Sequence, residues 1–215
     1  LLLQLSAGAK HHVLRILAIG NSFSEDAVEN NLHELGMEQG TCIIVGNMYI
    51  GGCSLQRHWT NAENDIPAYR YRKVKADGSK QQLDNTRLST ALRDERWDYV
   101  SLQQASGLSG RYETFEPYLK NLMAFVKRFA PHAKIIWHET WAYQHNSTHG
   151  AFQDYDCNQT TMFNRIVEAA QQAMKDNSIK IVAPSGTAIQ NARTTFIGDN
   201  MNRDGYHLNK SYGRY

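Results

Sequence analysis

The sequence is poor in proline and cysteine, and it lacks long apolar runs and any excess of charge of one sign. Its 215 residues include 4 prolines and 3 cysteines, and 23 basic and 21 acidic residues give a formal net charge of +2. The basic residues form no continuous run that would suit a phosphate backbone. No stretch approaches the roughly 20 apolar residues of a membrane-spanning helix. We therefore expect neither a nucleic-acid partner nor a membrane partner.

The three cysteines, Cys42, Cys53 and Cys157, do not have the spacing of metal ligands. Their odd number leaves at least one unpaired. Cys42 and Cys53 can pair in an oxidising compartment, although buried free thiols are the interpretation that we favour. The stretch His138–Ala142 has alanine where a zinc-binding His-Glu-x-x-His motif has its second histidine. No metal site is predicted, and without a glycine-rich phosphate-binding loop no cofactor is predicted either.

The first residues, LLLQLSAGA, are apolar leucines followed by Ala7-Gly8-Ala9. They resemble the end of a signal peptide with its small-residue processing site. We therefore interpret residues 1–9 as a signal-peptide remnant and expect a periplasmic or secreted protein; a cytosolic chain is the alternative. The length suits one substantial core, so residues 10–215 are predicted to form a single domain.

Short apolar runs alternate with helix-length segments, which is typical of βα units around a parallel sheet. This pattern predicts a three-layer α/β/α sandwich with a five-stranded parallel sheet. The predicted strands are Val13–Ile19, Cys42–Val45, Tyr99–Gln103, Lys134–His138 and Ile179–Ala183. The predicted helices are Ser24–Gln39, Asn85–Glu95, Thr114–Phe129 and Asn158–Asp176.

Two segments, Gly51–Asp84 and Trp141–Asp156, show no clear periodicity. Each follows the carboxyl end of a predicted strand, the edge at which open α/β sheets bind ligands. Ser22 follows the first strand, and Asp204 precedes His207 by three residues beyond the last one. A serine becomes a nucleophile when a histidine takes its proton and a carboxylate orients that histidine. The alternative is that Ser22 only caps a helix and that Asp204 and His207 only stabilise a loop.

These motifs resemble those of the SGNH hydrolase superfamily, also named GDSL-like esterases and lipases. The first block of that family, Gly-Asp-Ser, matches Gly20-Asn21-Ser22, and its last block, Asp-x-x-His, matches Asp204-Gly205-Tyr206-His207. The resemblance implies that Ser22 is the nucleophile, His207 the general base and Asp204 its orienting acid. It also implies a flavodoxin-like order of the sheet. Over nearly the whole chain, the sequence resembles those of SGNH-type domains from gut Bacteroidetes.

The family forms its oxyanion hole from the amide of the nucleophile and from a glycine and an asparagine of its middle blocks. Gly51 or Gly52 can supply the glycine amide, and Gly52 is preferred. The Gly-x-Asn-Asp block is missing, so Gln103 or Gln104 has to replace the asparagine. Carbohydrate-esterase relatives with a Gln-Gly-Glu version of this block favour Gln104. The predicted oxyanion hole therefore comprises Ser22, Gly52 and Gln104.

The irregular segments carry tryptophan, tyrosine, asparagine and histidine, residue types that bind sugars. We predict a substrate wall formed by Trp59, His138, Glu139 and Trp141. The predicted function is a serine esterase that hydrolyses small acyl esters, acetyl esters first, on a carbohydrate. A lipase or thioesterase for longer acyl chains and a non-catalytic glycan-binding module are the alternatives. The expected partner is a small-molecule or glycan ester, and the sequence sets no oligomeric state.

Overall fold

The structure, a computed structural model, describes residues 13–214. The predicted signal-peptide remnant, residues 1–9, lies outside the described residues. The strands are β1 (Val13–Gly20), β2 (Cys42–Tyr49), β3 (Tyr69–Val74), β4 (Lys80–Thr86), β5 (Tyr99–Leu102), β6 (Lys134–His138) and β7 (Ile181–Ala183). The helices are α1 (Ser22–Ser24), α2 (Leu32–Glu38), α3 (Leu55–Glu63), α4 (Leu88–Asp94), α5 (Tyr118–Phe129), α6 (Gln159–Asp176) and α7 (Ser185–Ala192).

One sheet organises the described part of the chain, in the strand order β4-β3-β2-β1-β5-β6-β7. The five strands from β2 to β7 in this order are parallel, as the sequence predicts. They read as nearly continuous apolar runs because helices cover both faces of a parallel sheet. The carboxyl ends of these five strands lie along one edge, which we name the carboxyl edge.

The sheet has seven strands, so the prediction of five is corrected. The additional pair, β3 and β4, forms an antiparallel hairpin beside β2. It lies in the segment predicted to be irregular, except for Asn85 and Thr86, which were predicted to begin a helix. In β3 the side chains of Tyr69, Tyr71 and Val74 are buried, whereas most residues of β4 are exposed. A strand at the edge of a sheet is often polar, and this polarity hides the alternation from a search for apolar runs.

The predicted helices are present, with one interruption. The segment predicted as the helix Ser24–Gln39 consists of α1, a π-helical turn at Glu25–Glu29, and α2. Two helices, α3 and α7, were not predicted. The first begins where the side chain of Ser54 accepts a hydrogen bond from the N–H of Arg57 at 3.3 Å, the usual N-cap contact.

Besides a group of three buried residues, Ile43, Val45 and Val74, that packs against Val28 and Leu32, two larger groups of buried apolar residues hold the layers together. The larger one packs the sheet against α3, α4, α5 and α6. The smaller one includes Phe23, Trp141, Tyr143, Phe152 and Leu208, and it lies among the loops that follow the strands. This second group gives the loops a core of their own, so the residues they carry can be held in fixed positions.

The cysteines in the described residues are free. Cys42 and Cys53 are buried, as predicted for free thiols, but Cys157 is exposed, which corrects that part of the prediction. Among residues 13–214, no helix is both long and apolar enough to cross a membrane. Nor do three or more His, Cys, Asp or Glu side chains within this range converge in a way that could hold a metal ion.

Candidate active site

Ser22 is the first residue of α1, directly after β1, and its side chain is partly exposed. The turn before it leaves no room for a side chain at position 20. A Cβ on Gly20 would lie 2.6 Å from Ser24 Oγ and 2.9 Å from Gln103 Oε1. Asn21 caps α1, because its Oδ1 accepts from the N–H of Phe23 at 3.0 Å. Ser22 is therefore presented at the carboxyl edge by a close-packed strand-to-helix turn.

Asn21 stands where the SGNH pattern has aspartate, and its surroundings require an amide. Its Nδ2 donates to the carbonyl oxygen of Cys53 at 3.0 Å, a contact in which a carboxylate would be repelled. Its Oδ1 also accepts from Nε2 of Gln103 at 2.9 Å. This buried side chain thus ties the Ser22 turn to the loop after β2 and to the end of β5.

A series of buried or partly buried hydrogen bonds continues from Asn21 along the carboxyl edge, through Gln103 and His138 to Ser185. We name these four residues the buried polar chain. His138 Nδ1 lies 2.9 Å from Gln103 Oε1, and its Nε2 lies 3.1 Å from Ser185 Oγ. Because Gln103 Oε1 can only accept, His138 carries its proton on Nδ1, and Nε2 accepts from the hydroxyl. Burial lowers the pKa of His138 to about 4, so this imidazole is neutral at physiological pH.

These contacts argue against His138 and Glu139 as parts of a substrate wall. Both side chains are buried. Glu139 Oε1 accepts from the N–H of Thr187 at 2.8 Å and from its hydroxyl at 2.7 Å. The carboxylate therefore binds the first turn of α7, where negative charge is favourable. The two residues fix the end of β6 and the start of α7 and do not face a substrate.

Trp141 is also buried and cannot stack on a sugar ring. Its indole lies parallel to the ring of Phe23, with 4.0 Å between the centroids, and its Nε1 donates to the carbonyl oxygen of Tyr206 at 2.7 Å. Trp141 thus connects the residue after Ser22 with the residue before His207. Trp59 lies on α3, is half-buried and packs against the main core. Of the four predicted wall residues, it alone retains partial exposure.

The hydrogen-bonding positions of the Gln104 side chain are all occupied, which argues against its predicted role as an oxyanion donor. Its Oε1 accepts from the N–H groups of Leu55 and Ala105, each at 2.9 Å. Its Nε2 donates to the carbonyl oxygen of Thr114 at 3.2 Å and to the hydroxyl of that residue at 3.1 Å. Two donors and two acceptors complete the capacity of a primary amide. Gln103 differs, because Asn21 uses only one of its two amide protons.

The Gly51–Gly52 turn lies beside the Ser22 turn. The N–H of Ile50 donates to the carbonyl oxygen of Gly20 at 3.4 Å, and Cys53 closes the turn by donating to Ile50 at 3.2 Å. Gly52 is exposed and has φ +61°, a conformation that favours glycine. Within residues 13–214, the loop and turn hydrogen bonds do not use the N–H of Gly52 or of Ser22. Both amides are therefore free to bind an anion.

Asp204 and His207 form a hydrogen-bonded pair on a tight loop. His207 Nδ1 lies 2.6 Å from Asp204 Oδ2, and Asp204 Oδ1 accepts from the N–H of His207 at 2.8 Å. Burial raises the pKa of the Asp204 carboxyl, but the hydrogen bonds from the side chain and backbone of His207 outweigh it, and the net shift is downward. An ionised carboxylate on Nδ1 directs the lone pair of neutral His207 to Nε2. The pair thus has the protonation pattern of a general base.

The loop that carries this pair docks on the segment after β6. Gly205 has φ +89°, and a Cβ there would lie 3.0 Å from Ser147 Oγ. The N–H of Gln144 donates to the carbonyl oxygen of Gly205 at 2.8 Å. A residue with a side chain at position 205 would push the loop away from Ser147. Glycine is therefore required at this position both by the backbone conformation and by the close approach.

The structure brings the two ends of the chain together at the carboxyl edge. The ring of Phe23, next to Ser22, lies 6.0 Å from the imidazole of His207, centroid to centroid. Within residues 13–214, no hydrogen bond joins Ser22 Oγ to His207 Nε2. In enzymes without substrate such contacts are often long and tighten in the Michaelis complex. In the described part of the chain, His207 Nε2 and Ser22 Oγ both lack a hydrogen-bond partner, and they lie on neighbouring elements.

A row of rings that the sequence did not single out borders this pair. The ring of Tyr206 lies 4.1 Å from that of His207, and the ring of His149 lies 4.8 Å from that of Tyr206. Burial lowers the pKa of His149, and the nearby His207 lowers it further. We name His149, Asp204, Tyr206 and His207 the rim, since all four are at least partly exposed. Tyr206 lies inside the Asp-x-x-His motif, so the motif itself was the available signal.

Comparisons with known proteins place this geometry in context. The family model described as "Domain of unknown function (DUF4886)" matches residues 15–215. A DUF4886 family protein from Bacteroides uniformis has 51% sequence identity and a TM-score of 0.92, covering 94% of this chain and 79% of that one. No curated protein matches the sequence.

More distant structures share the fold. A proposed SGNH hydrolase from Slackia heliotrinireducens is 21% identical, with a TM-score of 0.60 over 94% of both chains. An acetylxylan esterase from Geobacillus stearothermophilus is 13% identical, with a TM-score of 0.57 over 95% of this chain and 90% of that one. The sheet and its flanking helices are thus those of the SGNH hydrolases, as the motifs implied, and the chain belongs to the DUF4886 family.

Proposed function

We propose that the protein is a serine esterase that acts through an acyl-enzyme intermediate. His207 Nε2 takes the proton of Ser22 Oγ, which attacks the ester carbonyl and forms a tetrahedral intermediate. That intermediate collapses as His207 returns the proton to the leaving alcohol. Water, deprotonated by the same imidazole, then attacks the carbonyl of the acyl-enzyme. The bond to Ser22 Oγ breaks, His207 returns the proton to that oxygen, and the acid leaves. The observation that carries this proposal is the 2.6 Å contact that orients His207 beside the turn bearing Ser22.

The developing oxyanion would be bound by the amides of Ser22 and Gly52. Both N–H groups are unused in the turns that hold them. Preorganised donors of this kind each contribute a factor of about 10² to 10³ to kcat. Of the two glutamines, Gln103 alone has an amide proton to spare, so a side-chain donor, if one is used, is Gln103 and not Gln104.

For the substrate we propose a small acyl group, acetyl first, on a carbohydrate. Partly exposed aromatic and imidazole rings beside the catalytic pair, Tyr206 and His149, offer the mixed apolar and polar surface that sugar rings bind. In this proposal they take the place of His138, Glu139 and Trp141, the predicted wall residues that are buried. Similarity of fold to an acetylxylan esterase agrees with this proposal and does not by itself assign a substrate.

The test is release of acetate from a panel of acetylated polysaccharides, with Ser22→Ala as the matched variant. We expect turnover by the natural chain and a loss of about four orders of magnitude or more in Ser22→Ala. Hydrolysis of p-nitrophenyl esters that rises with acyl length would favour a lipase or thioesterase. Glycan binding without turnover, unchanged in Ser22→Ala, would identify a binding module and refute the proposed esterase.

A further inference from the structure

The most fully buried carboxylate near the site belongs to Asp26, a residue that the proposed reaction does not use. Its side chain is 0% exposed, and it lies in the π-helical turn four residues after Ser22. A buried carboxylate is stable only when it is paired and hydrogen-bonded. Every partner that meets this need comes from the other end of the chain.

Three residues donate hydrogen bonds to Asp26, and Arg214 does so through both Nε and Nη2. Arg203 Nη1 lies 3.2 Å from Oδ1, Arg214 Nη2 lies 2.6 Å from Oδ1, and the N–H of Leu208 donates to Oδ2 at 2.8 Å. Arg203 immediately precedes Asp204, and Leu208 immediately follows His207. One carboxylate therefore binds the residues on both sides of the Asp-x-x-His loop.

The loop is also closed on itself. The N–H of Arg203 donates to the carbonyl oxygen of His207 at 2.9 Å, and the Arg203 guanidinium donates to the carbonyl oxygen of Leu208. The two residues next to the catalytic pair are thus joined to each other and, through Asp26, to the helical turn that follows Ser22. The stacking of Phe23 on Trp141 joins the same two parts of the chain, because Trp141 also donates to the carbonyl oxygen of Tyr206.

We propose that Asp26 is a positioning residue that sets the distance between His207 and Ser22; this rests on the proposed esterase function. Asp26 does not touch substrate. Its charge holds the loop in register with the Ser22 turn across the length of the chain. Displacement of a catalytic group by about 1 Å can lower the rate about 10²-fold, so a loosened loop acts on kcat and leaves KM unchanged.

The test uses Asp26→Asn, which keeps the shape and an acceptor for Leu208 but removes the charge. Arg203→Met, at a half-exposed guanidinium, is the second variant and replaces it if Asp26→Asn does not fold. Asp94→Asn is the matched control, because Asp94 pairs with Lys73 at 2.7 Å, at the end of α4 and away from the carboxyl edge. We measure Tm, kcat and KM on p-nitrophenyl acetate, and hydrogen exchange of residues 203–208.

We expect Asp26→Asn to lower kcat about 10- to 100-fold with KM within about 2-fold, and to speed exchange of residues 203–208. Arg203→Met should do the same to a smaller extent, and Asp94→Asn should lower Tm without changing kcat. Wild-type kcat and exchange in a folded Asp26→Asn or Arg203→Met overturn the proposal. If the natural chain proves inactive, the proposed esterase function is refuted. The hydrogen-exchange data then still decide whether Asp26 holds the loop.

Discussion

The buried polar chain and the rim each place a histidine at the carboxyl edge, and their surroundings give the two histidines opposite properties. Both ring nitrogens of His138 have partners inside the protein, and burial keeps the ring neutral with a pKa of about 4. His207 has one nitrogen on a carboxylate and the other without a hydrogen-bond partner among residues 13–214, and 17% of its side chain is exposed. Chemistry needs an unused hydrogen-bonding atom that substrate can reach. Only the rim provides one.

The same substitution at both histidines should have different effects on catalysis and on stability. His207→Gln should lower kcat by about four to six orders of magnitude, because the base is lost and members of such a triad act as a unit. His138→Gln should instead lower the free energy of unfolding by about 1–3 kcal/mol, since one of two buried hydrogen bonds is lost. Steady-state kinetics and urea denaturation measure the two effects.

Asn21 and Gln103 would transmit some of the damage from His138 to the Ser22 turn, so a modest fall in kcat is allowed for His138→Gln. The division into a structural and a catalytic histidine would be refuted if His138→Gln were as inactive as His207→Gln while remaining folded. Circular dichroism of both variants at the assay temperature provides the control.

Trp141→Ala should have the next largest effect, because this indole lies beneath the rim and supports Tyr206. Removing this buried indole should cost about 3–5 kcal/mol of unfolding free energy, the range for large aromatic-to-alanine changes in a core. Trp141→Phe keeps the stacking on Phe23 but loses the hydrogen bond to Tyr206, so it should cost about 1–2 kcal/mol. Urea denaturation would contradict the assignment of Trp141 to the core if Trp141→Ala were as stable as the natural chain.

The buried histidines also set a pH dependence of stability. The pKa of His138 is lowered by burial to about 4 and that of His58 to about 3, from an ordinary value of 6.5. Between pH 6.5 and 4 these two histidines bind protons in the unfolded chain but not in the native state. The free energy of unfolding therefore falls as the pH falls. Each histidine should remove about 2 kcal/mol at pH 5 relative to pH 7.5. His138→Gln should make the slope of unfolding free energy against pH shallower, because one of the buried histidines that cause it is lost. An unchanged slope would contradict this origin.

The parallel part of the fold could be read from the sequence because buried parallel strands are continuous apolar runs. The β3–β4 hairpin could not, since β4 at the sheet edge is polar and mostly exposed. The Asp-x-x-His loop could be predicted from its spacing, because three residues suffice to close the contact between Asp204 and His207. A pattern within one segment, such as an apolar run or a three-residue spacing, can be recognised in the sequence. A feature that depends on which elements lie next to that segment cannot.

Three of the four residues predicted for the substrate wall are buried, and the sequence could not show this for the same reason. The residue types at 138, 139 and 141 suit a binding site, but the sequence does not say whether their hydrogen-bonding atoms are already used by Gln103, Thr187 and Tyr206. Asp26 gave no signal at all. Its partners lie more than 170 residues away in the chain, at separations of 177 and 188 for the two arginines. Only the folded structure shows that one carboxylate joins both ends.

The smallest predicted effect concerns the exposed part of the rim. Tyr206→Ala removes the half-exposed ring and leaves the carbonyl oxygen on which Trp141 depends. If this ring contacts a sugar, KM for an acetylated xylo-oligosaccharide should rise about 5-fold, equivalent to about 1 kcal/mol of lost stacking, with kcat nearly unchanged. The KM for p-nitrophenyl acetate, which has no sugar, should stay the same. Phe129→Ala, at the opposite end of the sheet beside the start of β6, is the control for loss of a half-buried ring. An equal rise in KM for both substrates would assign Tyr206 to positioning of the ester, because a sugar-binding ring can affect only the substrate that carries a sugar.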